Sequence, residues 1–295
     1  MFESIHWSTN AADGASTLYN VLGGRPMELA DLSLIRMALF QRLLLLSLLL
    51  PLSAAAAAAD SIAQYCSKSF KSKQTQANID HVLADLVARA SVGGFATTSY
   101  GIGASVIYGL AQCRGDVSAE DCSTCLADAA KKLPTTACPS QADGRIWYDY
   151  CFMRYDNENF VGQSDTSVAT ILINVENATD PENFDKKVGV VMRRARADAV
   201  SPGNNALGRA KLQFTPYITI YALAQCTLDL QQLTCAQCLS SAVEKFPDYC
   251  QYRKGCRVLY SSCIVRYEIY PFYFPLDSTK TTAAAGTYYK ATLRP

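Results

Sequence analysis

One cysteine phrase, written twice, constrains this chain more than any other feature. Cys113-x8-Cys122-x2-Cys125 returns as Cys226-x8-Cys235-x2-Cys238, 113 residues later. Matching text surrounds both copies: Tyr108-Gly-Leu-Ala-Gln-Cys113 answers Tyr221-Ala-Leu-Ala-Gln-Cys226, and Cys151-Phe-Met-Arg-Tyr-Asp156 answers Cys263-Ile-Val-Arg-Tyr-Glu268. Between them, Arg145-Ile-Trp-Tyr148 answers Arg257-Val-Leu-Tyr260. One short motif can arise by chance, but three in register mean a duplicated domain.

The N-terminal stretch stands apart. Arg42 precedes the apolar run Leu43–Leu50, Pro51 ends that run, and Ala54–Ala59 supplies small residues suited to cleavage. The run is short for a spanning helix, so residues 37–59 read as a secretory signal starting at Met37 and cleaved near Ala59. Residues 1–36 show no apolar periodicity and read as a non-native or disordered extension. Residues 1–59 hold 3 Lys+Arg and 4 Asp+Glu, leaving 24 of 27 and 22 of 26 in the mature chain, a net charge near +2. That balance argues against nucleic acid or another polyanion as the main partner. No second apolar run of spanning length follows.

All 12 cysteines lie after the signal, an even number, and secretion favours their pairing as disulfides. Cys-x2-Cys is also a zinc spacing, but the chain has only two histidines, His6 and His81. A thioredoxin-like role for Cys122/Cys125 or around Cys238 is weaker still, because each phrase offers a partner cysteine nine residues earlier.

Ile79, Val82, Leu83, Leu86, Val87 and Ala90 predict an amphipathic helix over 76–91, ended by Gly93-Gly94. Ser118 predicts an N-cap for a second helix that carries Cys122 and Cys125 toward the core and stops at Pro134. Strands are predicted over 99–113 and 145–155. In repeat two, Asp180-Pro181 predicts a capped start to a helix bearing Phe184, Val188, Val191, Ala195 and Ala199. Strands are expected at 213–226, 256–268 and 270–274, with a helix around Cys235 and Cys238 and a fraying tail after Pro275. The fold class is α+β, two tandem domains at 60–160 and 161–275, with 276–295 as a flexible tail.

These residues resemble the plant cysteine-rich domain of the ginkbilobin-2 type, also called DUF26 or stress-antifung, over essentially all of 60–275. With no kinase following, the chain is similar to the tandem secreted subgroup, the cysteine-rich repeat secretory proteins. The resemblance implies, in each domain, a five-stranded antiparallel sheet with two helices and three disulfides. It implies Cys66–Cys138, Cys113–Cys122 and Cys125–Cys151 in repeat one, and Cys226–Cys235 and Cys238–Cys263 in repeat two. Repeat two lacks a counterpart of Cys66 and has an additional Cys256, so Cys250–Cys256 is the expected replacement.

The same resemblance implies a mannose-type site made of an Asn, an Arg and a Glu, a set able to grip neighbouring hydroxyls. In repeat two the Arg and Glu are Arg257 and Glu268; the Asn cannot be placed, with Asn174 and Asn177 nearby. In repeat one the positions hold Ser67, Arg145 and Asp156. The bland alternative for Arg257 and Glu268 is an exposed cross-strand ion pair. Asn177-Ala-Thr179 is the sequon after the signal and the expected glycosylation site. The aromatic clusters Trp147, Tyr148, Tyr150 and Tyr270, Phe272, Tyr273, Phe274 read as sugar platforms or, more ordinarily, as packing. No catalytic constellation, cofactor motif or metal set appears. The expectation is a secreted, apoplastic, non-enzymatic binding module with two readings. One is capture of mannose-type glycans in antifungal or stress defence. The other is contact with extracellular receptor or wall proteins.

Overall fold

In the computed structural model, the described residues are 60–275 and 287–294, with Gln41. The signal segment 37–59 and the extension 1–36 lie outside them, apart from that single residue. Repeat one runs β1 (Ala63–Ser69), α1 (Lys73–Gly93), β2 (Phe95–Tyr100), β3 (Ile107–Cys113), α2 (Ala119–Lys132), β4 (Gln141–Trp147) and β5 (Cys151–Asp156). Repeat two runs β6 (Ala169–Asn174), α3 (Pro181–Ala199), β7 (Leu207–Gln213), β8 (Thr219–Cys226), α4 (Gln232–Val243), the single turn α5 (Phe246–Tyr249), β9 (Cys256–Leu259), β10 (Cys263–Glu268) and β11 (Tyr288–Leu293). The sheets are antiparallel, ordered β1-β4-β5-β3-β2 and β11-β6-β9-β10-β8-β7.

Local chemistry explains the helix ends. Ser72 accepts from the Thr75 N–H at 3.2 Å and starts α1 ahead of its apolar stripe. Gly94, at φ 75°, closes it with an N–H bond to Ala90 O. Ser118 accepts from the Asp121 N–H at 3.0 Å. Asp180 departs from expectation: it sits at φ 52° with no side-chain cap bond, and Pro181 alone presets the first turn of α3. Past α2, residues Leu133–Ala137 make one π-turn through Pro134 rather than stopping dead.

Strand alternation then sorts side chains onto two faces. In sheet two, Ala222, Ala224, Val258, Val265 and Tyr267 join α3 and α4 in one core. Tyr221 and Leu223 face the other way, onto Tyr270 and Phe272. The 270–274 stretch is therefore not a strand; its rings lie against the sheet instead of pairing at an edge. β7 approaches α3 so closely that a Cβ on Gly208 would meet Ala195 O at 1.8 Å, which explains glycine there.

Sheet two has six strands, one more than expected. Tyr288–Leu293 pairs with β6, Tyr288 opposite Asn174, so this part of the expected flexible tail is a strand, satisfied by the free hydrogen-bonding edge of β6. All 12 cysteines are bonded: Cys66–Cys138, Cys113–Cys122, Cys125–Cys151, Cys226–Cys235, Cys238–Cys263 and Cys250–Cys256. Among the described residues, no helix is long and apolar enough to cross a membrane.

The helix-distal faces of the two sheets meet. Ala63, Trp147 and Leu259 are buried together there, with Phe152, Leu172 and Ile264. Repeated glutamines seal the contact reciprocally: Gln112 Nε2 donates to Cys226 O at 2.8 Å and Gln225 Nε2 to Cys113 O at 3.2 Å.

Candidate functional site

Register resolves the position that the sequence could not. Tyr65 pairs with Arg145, Cys66 with Gly144 one step on, and Ser67 with Asp143 two steps on. In repeat two Leu172 pairs with Arg257 and Ile173 with Cys256, and the Asn174 N–H donates to Gly255 O. Ile173 thus stands where Cys66 stands, and Asn174, not Asn177, is the counterpart of Ser67. Period two places Arg257 on β9 and Glu268 on β10 on the same helix-distal face, joined there by Arg266.

Glu268 is fully buried and Arg257 is 8% exposed. Glu268 Oε1 accepts from Arg266 Nε at 2.9 Å, with Arg257 Nε 3.5 Å away. Its Oε2 accepts from the Tyr288 hydroxyl of β11. That hydroxyl lies 2.8 Å from the Tyr270 hydroxyl, which accepts from Arg266 Nη2 at 3.1 Å. The Arg257 guanidinium sits 5.2 Å from the Tyr288 ring centre and donates from Nη1 to Asp149 of repeat one. Gly255 makes room for the carboxylate: a Cβ there would lie 2.0 Å from Glu268 Oε2. The ion pair is therefore neither exposed nor free. Protein groups occupy both oxygens because Arg266 and the Tyr288 side chain of edge strand β11 reach Glu268 on the sheet face that the neighbouring repeat covers.

The half-site of repeat one is closed in the same manner by different residues. Arg145 makes a two-pronged contact with Asp143 (Nε–Oδ1 3.0 Å, Nη2–Oδ2 3.1 Å). Its Nη1 reaches Ser261 Oγ at 2.7 Å and Asp165 Oδ2 at 2.9 Å. Ser67 Oγ donates to Asp143 Oδ2 at 2.8 Å. Asp156 is held by Arg154 at 3.0 Å and Lys68 at 2.8 Å. The structure does not bring Arg145 and Asp156 together directly; Arg154 and Asp165 stand between them, with Arg154 Nη1 2.8 Å from Asp165 Oδ2.

The two networks are related by the duplication. Ser261 follows Arg257 by four residues as Asp149 follows Arg145, and each meets the other repeat's arginine. Burial alone would raise the Asp149 and Asp165 pKa values, but Arg257 and Arg266 beside Asp149, and Arg145 and Arg154 beside Asp165, hold both below the usual carboxylate range. Burial would likewise lower Arg257, yet Asp149 and Glu268 raise it further.

Sequence reading passed over Arg154 and Arg266, although each stands two residues before its carboxylate in the repeated Arg-Tyr-Asp/Glu phrase, a spacing that shares one strand face. Asp149, Asp165 and Tyr288 carried no such signal. His81 is an exposed residue stacked on Tyr100 at 3.7 Å. Trp147 is buried, its indole N–H donating to Tyr260 O across the repeats. Asn177 and Thr179 are exposed. Among the described residues, no group of three or more His, Cys, Asp or Glu could hold a metal ion.

Comparison with known proteins agrees with this architecture. The family described as "Salt stress response/antifungal" matches residues 64–158 and 173–270. The chain is 49% identical over 256 residues to cysteine-rich repeat secretory protein 55 of Arabidopsis thaliana, covering 84% of this chain and 97% of that one. It is 39% identical over 196 residues to an antimicrobial ginkbilobin-2-like protein of Castanea crenata, covering 66% and 80%. In fold it is similar to the tandem DUF26 ectodomain of the Arabidopsis thaliana cysteine-rich receptor-like protein PDLP8, with a TM-score of 0.64 at 24% identity over 70% of this chain and 97% of that one. Two copies of one cysteine framework, two sheets joined at their helix-distal faces and these matches lead to one conclusion: the chain belongs to the Stress-antifung (DUF26) family, as a tandem cysteine-rich repeat protein.

Proposed function

We propose that this protein is a secreted, non-catalytic binding module of the plant apoplast, acting in stress or antifungal defence through contact with extracellular proteins. The burial of Glu268, with Arg266 and Tyr288 on its two oxygens, carries this reading. A mannose-type glycan held by Arg257 and Glu268, or by Arg145, Asp156 and Ser67, needs those donors and acceptors unpaired, and protein partners already hold them. Displacing buried charged partners is expensive, because each leaves an uncompensated charge behind. The secretory and antimicrobial relatives support the compartment and the defence role.

Calorimetric titration of the mature protein with mannose and mannan tests the reading. No saturable heat is the expected result, and saturable binding by the wild type that Arg257→Ala abolishes would overturn it. The exposed Asn177 sequon is proposed to carry a glycan in the secreted protein. A mass loss on peptide N-glycosidase treatment, absent in Asn177→Gln, is the expected result.

A further inference from the structure

The helix layers of the two repeats differ in a way the shared fold does not demand. In repeat one, α2 carries Glu120, Asp121, Lys131 and Lys132 and packs closely along α1. In repeat two, α4 contains no charged residue, stands apart from α3, and exposes Leu233 to 71%. Between α3 and α4 lies a groove of about 460 Å³ lined by Ala197, Val200, Ala236, Leu239 and the arginines Arg193 and Arg196.

Charge along this groove is of one sign. Lys186, Arg193, Arg196 and Val200 recur at helical spacing on α3 and so share one stripe. Gly189, one turn before Arg193, leaves a notch in that stripe; its absent Cβ would lie 3.8 Å from Arg193 Nη1. Among the described residues, Arg193, Arg194 and Arg196 take part in no ion pair and no side-chain hydrogen bond. Elsewhere in the molecule Arg114, Arg145, Arg154, Arg257 and Arg266 are each paired with a carboxylate. Unlike those five, Arg193 and Arg196 are left open to a partner from outside the chain.

We propose that the α3–α4 groove of repeat two docks an acidic amphipathic helix of a partner protein. The partner's aliphatic side chains enter the groove against Ala197, Val200 and Ala236, and meet the exposed Leu233 one helical turn before Ala236. Its carboxylates meet Arg193 and Arg196 in the planar, two-pronged geometry a guanidinium favours. A simple polyanion would satisfy the arginines and leave the apolar floor and Leu233 in water, so the surface fits a ligand that offers both chemistries. The proposal rests on the protein-contact reading above and names the partner's chemistry.

Fluorescence anisotropy of a labelled synthetic Leu/Glu amphipathic helix, added to the mature two-repeat protein, tests it. Saturable binding is expected, weakened about tenfold or more in Arg193→Glu/Arg196→Glu and also weakened in Leu233→Ser. Lys131→Glu on repeat one, a charge change away from the groove, should leave binding intact, and circular dichroism confirms that each variant is folded. The proposal falls if the peptide does not bind, if a Gln-for-Glu version binds equally well, or if Lys131→Glu weakens binding as much as the double variant. It falls equally if polygalacturonate binds and the peptide does not, since that assigns a polyanion site. The mannan titration is independent of all these outcomes, so failure here is distinguishable from failure of the protein-contact reading.

Discussion

Repeat one and repeat two hold the same edge strand by different means. In repeat one, β1 is tied to the turn after α2 by Cys66–Cys138, a link across 72 residues. In repeat two, Ile173 replaces the cysteine, and β6 is held instead by pairing with β11 on its outer side. The freed cysteine, Cys250, closes only a six-residue separation to Cys256. Repeat two therefore exchanges a covalent staple for a sixth strand, and the residue that completes the exchange, Tyr288, is also the one that closes its candidate site. In repeat one the stapled strand β1 itself brings Ser67 and Lys68 to the half-site; in repeat two the added strand β11 does both jobs.

The disulfides should show the largest contrast. Replacing Cys66 and Cys138 with Ala should cost about 4 kcal/mol by the chain-entropy relation, against about 2 kcal/mol for Cys250 and Cys256. Urea unfolding of both double variants measures the difference; equal losses would mean that repeat two relies on its short loop far more than loop closure predicts.

Glu268→Gln should cost about 3 kcal/mol, since it unbalances buried guanidiniums that have no water to turn to. Asp156→Asn should cost less, because Lys68 is 33% exposed and keeps its hydration, and the buried Arg154 keeps its second carboxylate, Asp165. Denaturation midpoints that reverse this order would break the view that repeat two is the more tightly sealed half. Tyr288→Phe removes only the hydroxyl that serves Glu268, a loss of about 2 kcal/mol for a bond to a charged group. Hydrogen exchange should then quicken in β6 while β1 stays protected; equal quickening in both strands would contradict the exchange of staple for strand.

Acid should act on the seam between the repeats. Asp149 and Asp165 have folded pKa values below their unfolded ones, so their stabilisation is complete above the ordinary carboxylate range. It is lost as pH falls through the lowered folded values, and stability should decline below about pH 4. Asp149 is partly open to solvent, 43% exposed, so its share is modest. An acid limb unchanged in Asp149→Asn would remove it from the account.

Part of this architecture is legible in the sequence. The Ser118 cap and the apolar stripe of α1 are local features, decided within a turn or two of helix, and the structure follows them closely. The strand hairpins were harder. Residues 256–268 read as one strand but turn at 260–262, because Tyr260 N–H bonds back to Cys263 O. β1, β6 and most of β7 gave little periodic signal. They are edge strands or lie next to one, and pairing rather than alternation defines them. The candidate site was half legible: Arg257 and Glu268 were found, but not the register that adds Asn174, since the cysteine marking that register is absent.

By itself, the sequence determined the duplication, the even count of cysteines, the Ser118 start of α2 and the apolar stripe of α1. Those follow from spacing, and spacing is a property of a few neighbouring residues. Tertiary structure alone decided that the two helix-distal faces meet, that Asp149 and Asp165 neutralise arginines from elsewhere in the chain, and that β11 brings Tyr288 onto Glu268. The reason is physical: burial and charge pairing depend on which surfaces come together, and contacts more than 100 residues apart, such as Arg257 with Asp149, leave no periodic trace in the chain that makes them.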